Sequence, residues 1–233
     1  MSSTSNKHSY NLSEGSIQKS LIRMTTPMII GMLLLFTFSL VDTLFISFLG
    51  TEALAAISFT FPVTFTIMSL AIGLGIGASA VVGKYLGRSE YEKAKEASTV
   101  INYISLLLAA IVVAVCWFFM DSIFHLMGAR ESLMPSIREY MLVWFPGSIM
   151  IVCIMTGNSI LRACGDTKTP SMLMAGAGLI NAILDPIFIF GIGPIPAMGI
   201  QGAAWATVIA WGVCYFYLMY ILVIQKELVS GSL

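Results

Sequence analysis

The strongest constraint on the fold is a series of six long apolar segments that occupy most of the chain. A transmembrane helix needs about 20 consecutive, mostly apolar residues. Six segments meet this requirement, and polar or turn-rich stretches separate them. The sequence therefore predicts an all-α integral membrane protein, a bundle of six transmembrane helices. The predicted spans are approximately 25–50, 54–82, 98–120, 135–160, 170–192 and 199–224.

The composition excludes several other classes of protein. Of the 233 residues, 58% are hydrophobic and only 10% are charged, whereas soluble domains carry about 25% charged residues. The formal net charge is zero, so we expect the lipid bilayer and no nucleic acid as a partner. The four cysteines show no metal-ligand spacing and are expected to be packing residues. We predict no cofactor, and no cleaved signal peptide because the first 20 residues lack an apolar core.

The distribution of Lys and Arg predicts the orientation in the membrane. Cytoplasmic loops carry an excess of these residues. Ten of the twelve lie in the N-terminal segment, the second and fourth loops and the C-terminus, and only Arg130 and Arg138 lie on the opposite side. Both termini are therefore expected in the cytoplasm, with the protein in the plasma (inner) membrane. The predicted division is a cytoplasmic segment 1–23, which includes a short amphipathic lead, a six-helix unit 24–228 and a tail 229–233.

The second span contains the glycine-rich sequence GLGIGASAVVG. Such a string can indicate a nucleotide-binding loop, but that reading needs a preceding strand and a surrounding βαβ unit. Neither is expected in this span. Gly73, Gly77 and Ala80 fall on one helix face, so we predict a seam of small residues that permits close helix contact.

Two carboxylates, Asp42 and Asp185, lie well inside predicted spans. A charge at the centre of a membrane helix costs roughly 2.5–3.5 kcal/mol on insertion scales, and such residues usually face a cavity or a partner. Asp42, Asp185 and Thr207 each lie eight residues from the outer end of their span, about 12 Å below the outer boundary. Asn181 is one helical turn from Asp185 and shares its face. The sequence thus predicts oxygen-bearing side chains from three helices at one depth.

Pro186 follows Asp185 directly and removes the N–H that would bond the carbonyl of Ala182. Two carboxylates, an amide oxygen, a hydroxyl and a free carbonyl suit a small hard cation such as sodium. They suit protons equally, because burial and a neighbouring like charge favour a protonated carboxyl group. The alternative is that Asp185 and Asn181 bond each other, or a neighbouring backbone, and only lock helices together.

These segments resemble the multidrug and toxic compound extrusion (MATE) transporters over residues 20 to 228. The resemblance is carried by VDTLFISFLGTEALAA in the first span, GIGASAVVGKYLGR in the second, ILRACGDTKTP in the fourth loop, and NAILDPIFIFG with GIQGAAWATVIA in the last two spans. It implies a cation-coupled multidrug efflux transporter, driven by protons or sodium, that exports amphipathic, often cationic organic compounds. It also implies a twelve-helix architecture, of which this chain would be the N-terminal six-helix lobe and would need a second lobe as partner.

The resemblance implies further roles for individual residues. The family's cation site matches Asp42, Asn181, Asp185 and Thr207, the residues selected above by depth. Tyr140 and Asn158 would line the same lobe and contact substrate. Pro27 would be a hinge in the first span, although a proline near the start of a helix is also tolerated without such a role.

Three other functions are compatible with some of these features. A flippase of the same superfamily would move lipid-linked precursors, but it usually needs a cationic cavity, and no Lys or Arg lies deep in a span. An intramembrane aspartyl protease would also use two aspartates, but the Gly-x-Gly-Asp motif of such enzymes is absent, so no enzyme is expected. A non-transporting assembly partner is the third possibility.

Overall fold

The computed structural model describes residues 17–229, and they form an all-helical bundle. Six of the helices are long and apolar enough to cross a membrane, which confirms the prediction of six transmembrane helices. The described residues also form one short helix, between the third and fourth spans, and a π-helical turn after the sixth span. The elements are α1 (Ile17–Ser47), α2 (Thr51–Gly87), α3 (Tyr91–Phe118), α4 (Met120–Leu126), α5 (Met134–Ala163), α6 (Lys168–Phe190), α7 (Gly199–Tyr220) and the π-helical turn Ile221–Gln225.

The observed helices are longer than the predicted spans at several ends. Helix α1 begins at Ile17. Residues 17–23, which were predicted to belong to a separate amphipathic segment before the first span, are therefore the first turns of the same helix. Helix α3 begins at Tyr91, seven residues before its predicted span. Apolar composition marks only the part of a helix that lies in hydrocarbon, whereas backbone hydrogen bonding continues into the polar region. Helix α4 lies in the third loop, where no helix was predicted.

Helix α5 forms the centre of the bundle. In its most apolar stretch 78% of the residues are buried, against 11% in α1, and α2, α3 and α7 pack around it. Its buried face also carries hydroxyl and amide groups, including Ser148, Thr156, Asn158 and Ser159. This pattern is typical of membrane bundles, in which apolar residues face lipid and polar residues face other helices.

Most hydroxyl groups in the spans are satisfied within their own helix. Thr43, Ser98 and Thr156, for example, each donate to the carbonyl four residues earlier, at 2.7–3.0 Å. Such bonds remove the cost of placing a hydroxyl in hydrocarbon. Thr207 differs, because its described bond joins it to Asn181 on a neighbouring helix.

Close contacts at two glycines fix the register between α1 and α6. Gly31 packs against the backbone of Ser171, where an added Cβ would lie 3.1 Å from the Ser171 Cα. Seven residues further along each helix, Phe38 packs against Gly178. Seven residues correspond to about two helical turns, so the contacts form one seam between parallel helices. Continued by one turn, this seam brings Asp42 to the level between Asn181 and Asp185.

A third glycine sets the distance between α6 and α7. An added Cβ at Gly202 would lie 2.5 Å from the carbonyl oxygen of Phe188. The two helices are antiparallel and remain in contact further down, where the Cys214 thiol donates to the Leu173 carbonyl at 3.4 Å. This register places Thr207 beside Asn181.

The predicted seam of small residues in α2 is wrong for this chain. Gly73, Gly77 and Ala80 are exposed, and in the described residues no other element approaches a Cβ built at Gly73 or Gly77. The contact is made instead by Gly75, which packs against Ser159 of α5. The sequence alone did not specify which of two adjacent glycine faces would meet a neighbour.

An ion pair closes the end of the bundle that carries the fourth loop. Lys226, just after the π-helical turn, donates to Asp166 at 2.6 Å, and both side chains are largely buried. Asp166 also accepts hydrogen bonds from the backbone and hydroxyl of Thr169. Burial acts to raise the pKa of Asp166, but the bonds from Lys226 and Thr169 outweigh it and hold that pKa below its ordinary value.

We predict that Gly202→Ala destabilises the bundle by about 1–3 kcal/mol, because the added methyl group meets the α6 backbone, which has no rotamer with which to move away. Thermal unfolding in lipid nanodiscs measures the change. Gly77→Ala is the matched control, since its Cβ enters open space, and it should be neutral or slightly stabilising. Equal effects of the two substitutions would contradict the assigned α6–α7 contact.

We also predict that Lys226→Gln lowers stability at neutral pH by about 1–3 kcal/mol, since it removes a largely buried charged hydrogen bond. The contribution of Asp166 is complete above the ordinary pKa of about 4 and is lost as the pH falls through the lower pKa of the folded state. The cost of the substitution should therefore disappear in acid. Unfolding at several pH values measures it, with exposed Lys168→Gln as control. A cost that does not depend on pH would contradict the pairing.

Candidate cation site

The structure brings together the four residues that were selected by their depth in the sequence. Asp42 comes from α1, Asn181 and Asp185 from α6, and Thr207 from α7. The contacts at Gly178 and Gly202, described above, hold these three helices close enough for short side chains to meet. The assignment of these residues as cation ligands stays a prediction.

Asn181 is the central hydrogen-bond donor of this cluster. Its Nδ2 donates to Asp185 Oδ1 at 3.1 Å and to Thr207 Oγ1 at 3.3 Å. The first bond joins residues one turn apart on the same helix, and the second crosses to α7. With Nδ2 so directed, the amide oxygen of Asn181 remains available as an acceptor or ligand.

The two carboxyl groups of the cluster lie close to each other and are incompletely satisfied. They are near enough to share a hydrogen bond when one of them is protonated. Asp185 is fully buried, and among the described residues neither Asp42 Oδ1 nor Asp185 Oδ2 has a hydrogen-bond partner. Two adjacent carboxylates, each with a buried oxygen that lacks a donor, are costly. A proton or a small cation between them would remove this cost, and the oxygens present match the ligands that sodium takes.

Tyr140 and Asn158 were predicted to line the lobe, and the structure places them far apart. Tyr140 is 8% exposed and lies near enough to Asp42 and Asp185 to interact with them electrostatically. Asn158 lies on the same helix, about 27 Å further along at the helical rise. It is fully buried, and neither of its side-chain atoms has a partner among the described residues. The structure therefore brings Tyr140, but not Asn158, to the carboxylates.

The two prolines of interest lie inside continuous helices. Pro27 is half-buried in α1, and Pro186 lies in α6 directly after Asp185. A proline in the interior of a helix leaves one carbonyl without its usual donor. For Pro186 this carbonyl is that of Ala182, next to Asn181 in the sequence. The hinge role of Pro27 stays a prediction.

Reasoning from the sequence missed the residues that position this site. Gly178 and Gly202 touch no carboxylate, yet they allow the approach of α1 and α7 to α6. Gly178 lies three residues before Asn181 and Gly202 five residues before Thr207. Their nearness to the polar residues on the same helices was the signal that could have identified them.

Comparison with known proteins gives a consistent family assignment. The MatE family model matches residues 27–187. The chain is 44% identical over 226 residues to the FAD transporter of Shewanella oneidensis, covering 97% of this chain and 50% of that protein. It is 28% identical over 228 residues to the probable multidrug resistance protein YpnP of Bacillus subtilis, covering 96% of this chain and 49% of that protein.

Solved structures agree with the sequence comparisons. The chain matches a mutant of the Vibrio cholerae MATE transporter VcmN with a TM-score of 0.86 and 35% identity, over 92% of this chain and 48% of that one. It matches an outward-facing multidrug resistance MATE transporter with a TM-score of 0.87 and 32% identity, over 95% and 49% of the two chains. This chain thus spans about half the length of the relatives it matches, which is consistent with an N-terminal lobe.

We predict a measurable coupling between Asn181 and Thr207. A double-mutant cycle of Asn181→Ala and Thr207→Val should give about 0.5–1.5 kcal/mol, the range found for hydrogen bonds between membrane helices. The measurement is unfolding in nanodiscs. The cycle of Asn158→Ala with Thr207→Val is the control and should give no coupling, since Asn158 lies far along α5. Coupling of similar size in both cycles would contradict the observed geometry.

Proposed function

Because this chain belongs to the MatE family of membrane transporters, we propose that it is the N-terminal lobe of a cation-coupled exporter of amphipathic organic compounds. The observation that supports this proposal most directly is the pair of adjacent carboxyl groups, Asp42 and Asp185, with oxygens that lack donors among the described residues. Such a pair binds a proton or sodium well and tolerates its loss poorly. Relatives named as multidrug export proteins support the substrate class.

The proposed role of the site is to couple cation entry to substrate release. A proton or sodium ion entering from outside neutralises one of the two negative charges on Asp42 and Asp185 and so removes the repulsion between the two carboxylates. Helices α1, α6 and α7 then repack, because the site joins all three. Coupling requires that cation and substrate prefer different arrangements of these helices. In proteins built from repeated lobes, such a change is converted into rocking of one lobe against the other.

A second lobe is part of this proposal. In the first span only 11% of the most apolar stretch is buried within this chain, so α1 offers a wide surface to lipid or to another lobe. We propose that a second six-helix lobe forms the other wall of the substrate cleft. The proposed location is the plasma membrane, with both termini in the cytoplasm, as the Lys and Arg distribution indicates.

A flavin dinucleotide is a second candidate for the substrate. The relative named FAD transporter is 44% identical to this chain, whereas the relatives named as multidrug proteins are 28–30% identical. FAD is amphipathic, but it is anionic where typical multidrug substrates are cationic. A flippase for lipid-linked precursors and a non-transporting assembly partner remain the alternatives. Export of a drug or of FAD from cells would distinguish an exporter of either substrate from these two alternatives.

We predict that Asp42→Asn and Asp185→Asn each abolish cation-dependent stabilisation of the protein. A bound cation stabilises the native state by about 2.7 kcal/mol at a hundredfold excess over its Kd. Tm in nanodiscs is measured against sodium at constant ionic strength, and against pH without sodium. The series that stabilises the wild type identifies the coupling ion, and the two variants should lose that response.

The matched control is Asp121→Asn, which removes an exposed carboxylate of α4 that pairs with Arg138 in the first turns of α5. It should leave the cation response intact. Efflux of a dye and of FAD from cells that express the chain, alone or with a second lobe, links the site to transport. If both site variants respond to cations and export substrate as the wild type does, the proposed coupling is wrong.

A further inference from the structure

A surface cavity of about 420 Å³, open on the side where Ile72, Ile76 and Ala80 are exposed, lies between α2 and α5 near the end of the bundle that carries the fourth loop. It lies apart from the cation site, which is built from α1, α6 and α7. Its lining comes from two turns of each helix. The lining residues are Ile72, Gly75, Ile76, Ser79, Ala80, Met155, Ser159 and Arg162.

The polar and apolar parts of this cavity lie at opposite ends. Helices α2 and α5 are the second and fourth spans, so they run in the same direction across the membrane, and Gly75 packs against Ser159. Ile72 and Met155 come earliest on their helices and line the apolar end. Ser79 and Arg162 lie about 10 Å further along, at the cytoplasmic side of the predicted orientation. A ligand that fits would have an apolar body in the membrane and a polar group at its cytoplasmic boundary.

Arg162 is held at the polar end with most of its hydrogen-bonding capacity unused. Its Nη2 donates to Ser159 Oγ at 2.6 Å, and Ser159 in turn donates to the Met155 carbonyl at 2.9 Å. A guanidinium group has five N–H donors, and in residues 17–229 this is its one described hydrogen bond. The Ser79 hydroxyl, on the opposite wall, has no described partner within those residues.

In residues 17–229, no acidic residue lies within ion-pair distance of Arg162. The nearest acidic residue in the sequence is Asp166, and it is occupied by Lys226 and Thr169. A half-buried arginine without a carboxylate therefore faces a cavity large enough for a small organic molecule. Arginine is the side chain that best matches phosphate oxygens, because its planar fork donates two parallel bonds.

Gly75 keeps this arrangement open. A side chain at this position would displace Ser159, whose hydroxyl holds Arg162 in place. The glycine thus serves both the α2–α5 contact and the position of the guanidinium group.

We propose that this cavity is an anion subsite that binds the phosphate group of an amphipathic ligand, with Arg162 and Ser79 as donors and Ile72, Ile76 and Met155 against the apolar body. The inference rests on the proposed export function and specifies the substrate as phosphate-bearing. Two sources share this chemistry, a water-soluble flavin phosphate and the headgroup of an anionic lipid.

The test uses two flavins that differ only in a phosphate group. FMN and riboflavin are titrated onto the full chain in phosphatidylcholine nanodiscs, and binding is followed by flavin fluorescence. We expect wild-type protein to bind FMN at least about tenfold more tightly than riboflavin, the difference that one charge-assisted bidentate contact supplies. Arg162→Gln should remove this preference and leave riboflavin binding unchanged.

Arg88→Gln is the matched control, because it removes the same charge from an exposed cytoplasmic residue outside the cavity. It should keep the preference for FMN. Arg162→Lys retains the charge without the fork and should retain part of the preference, which keeps the test decisive if Arg162→Gln folds poorly. Ser79→Ala should weaken FMN binding by a smaller factor.

A separate series replaces half of the phosphatidylcholine with phosphatidylglycerol. If the anionic lipid displaces FMN from wild-type protein but not from Arg162→Gln, the site binds phosphate and the lipid headgroup is a source. If FMN and riboflavin bind equally and phosphatidylglycerol has no Arg162-dependent effect, the subsite is overturned. That result leaves the cation-coupled export proposal intact, since the proposal is tested by Asp42 and Asp185.

Discussion

The direct approach of α1 and α7 to the backbone of α6 is the interaction on which the candidate cation site depends. In a bilayer, lipid tails are as apolar as the helix surfaces, so association relies on close packing and hydrogen bonds. Gly178 of α6 accommodates the Phe38 side chain of α1, and Gly202 of α7 packs against the α6 backbone at Phe188. Asp42 can then approach Asp185, and Asn181 can bond Thr207. At longer interhelical distances these short side chains would not reach each other.

The helices of the bundle differ in how deeply they are buried and in which side chains they bury. Helix α5 buries hydroxyl and amide groups at the centre, whereas α1 is apolar and little covered. The hydroxyl groups mostly bond to their own helix, so they do not compete for the groups at the carboxylates. Among the described residues, Asp42 and Asp185 each keep one buried carboxylate oxygen for which the helices supply no donor.

The lobe therefore offers two kinds of chemistry at two ends. The carboxylate pair lies in the predicted outer half of the membrane and has unsatisfied acceptors. The cavity at Arg162 lies at the predicted inner boundary and has unused donors. The first suits a cation and the second an anionic group. Helix α5 carries both Tyr140, beside the carboxylates, and Arg162, at the cavity.

The sequence by itself determined the number of spans and the depth of their polar residues. Apolar length alone sets the spans, because backbone groups in a bilayer must be satisfied within helices. It also singled out Asp42, Asn181, Asp185 and Thr207, since a constant rise per residue converts position into depth. Only the tertiary structure decided which helix faces meet. It assigned the α2 contact to Gly75 and not to Gly73 or Gly77, because the rotation of each helix depends on its neighbours, which one helix's sequence does not contain.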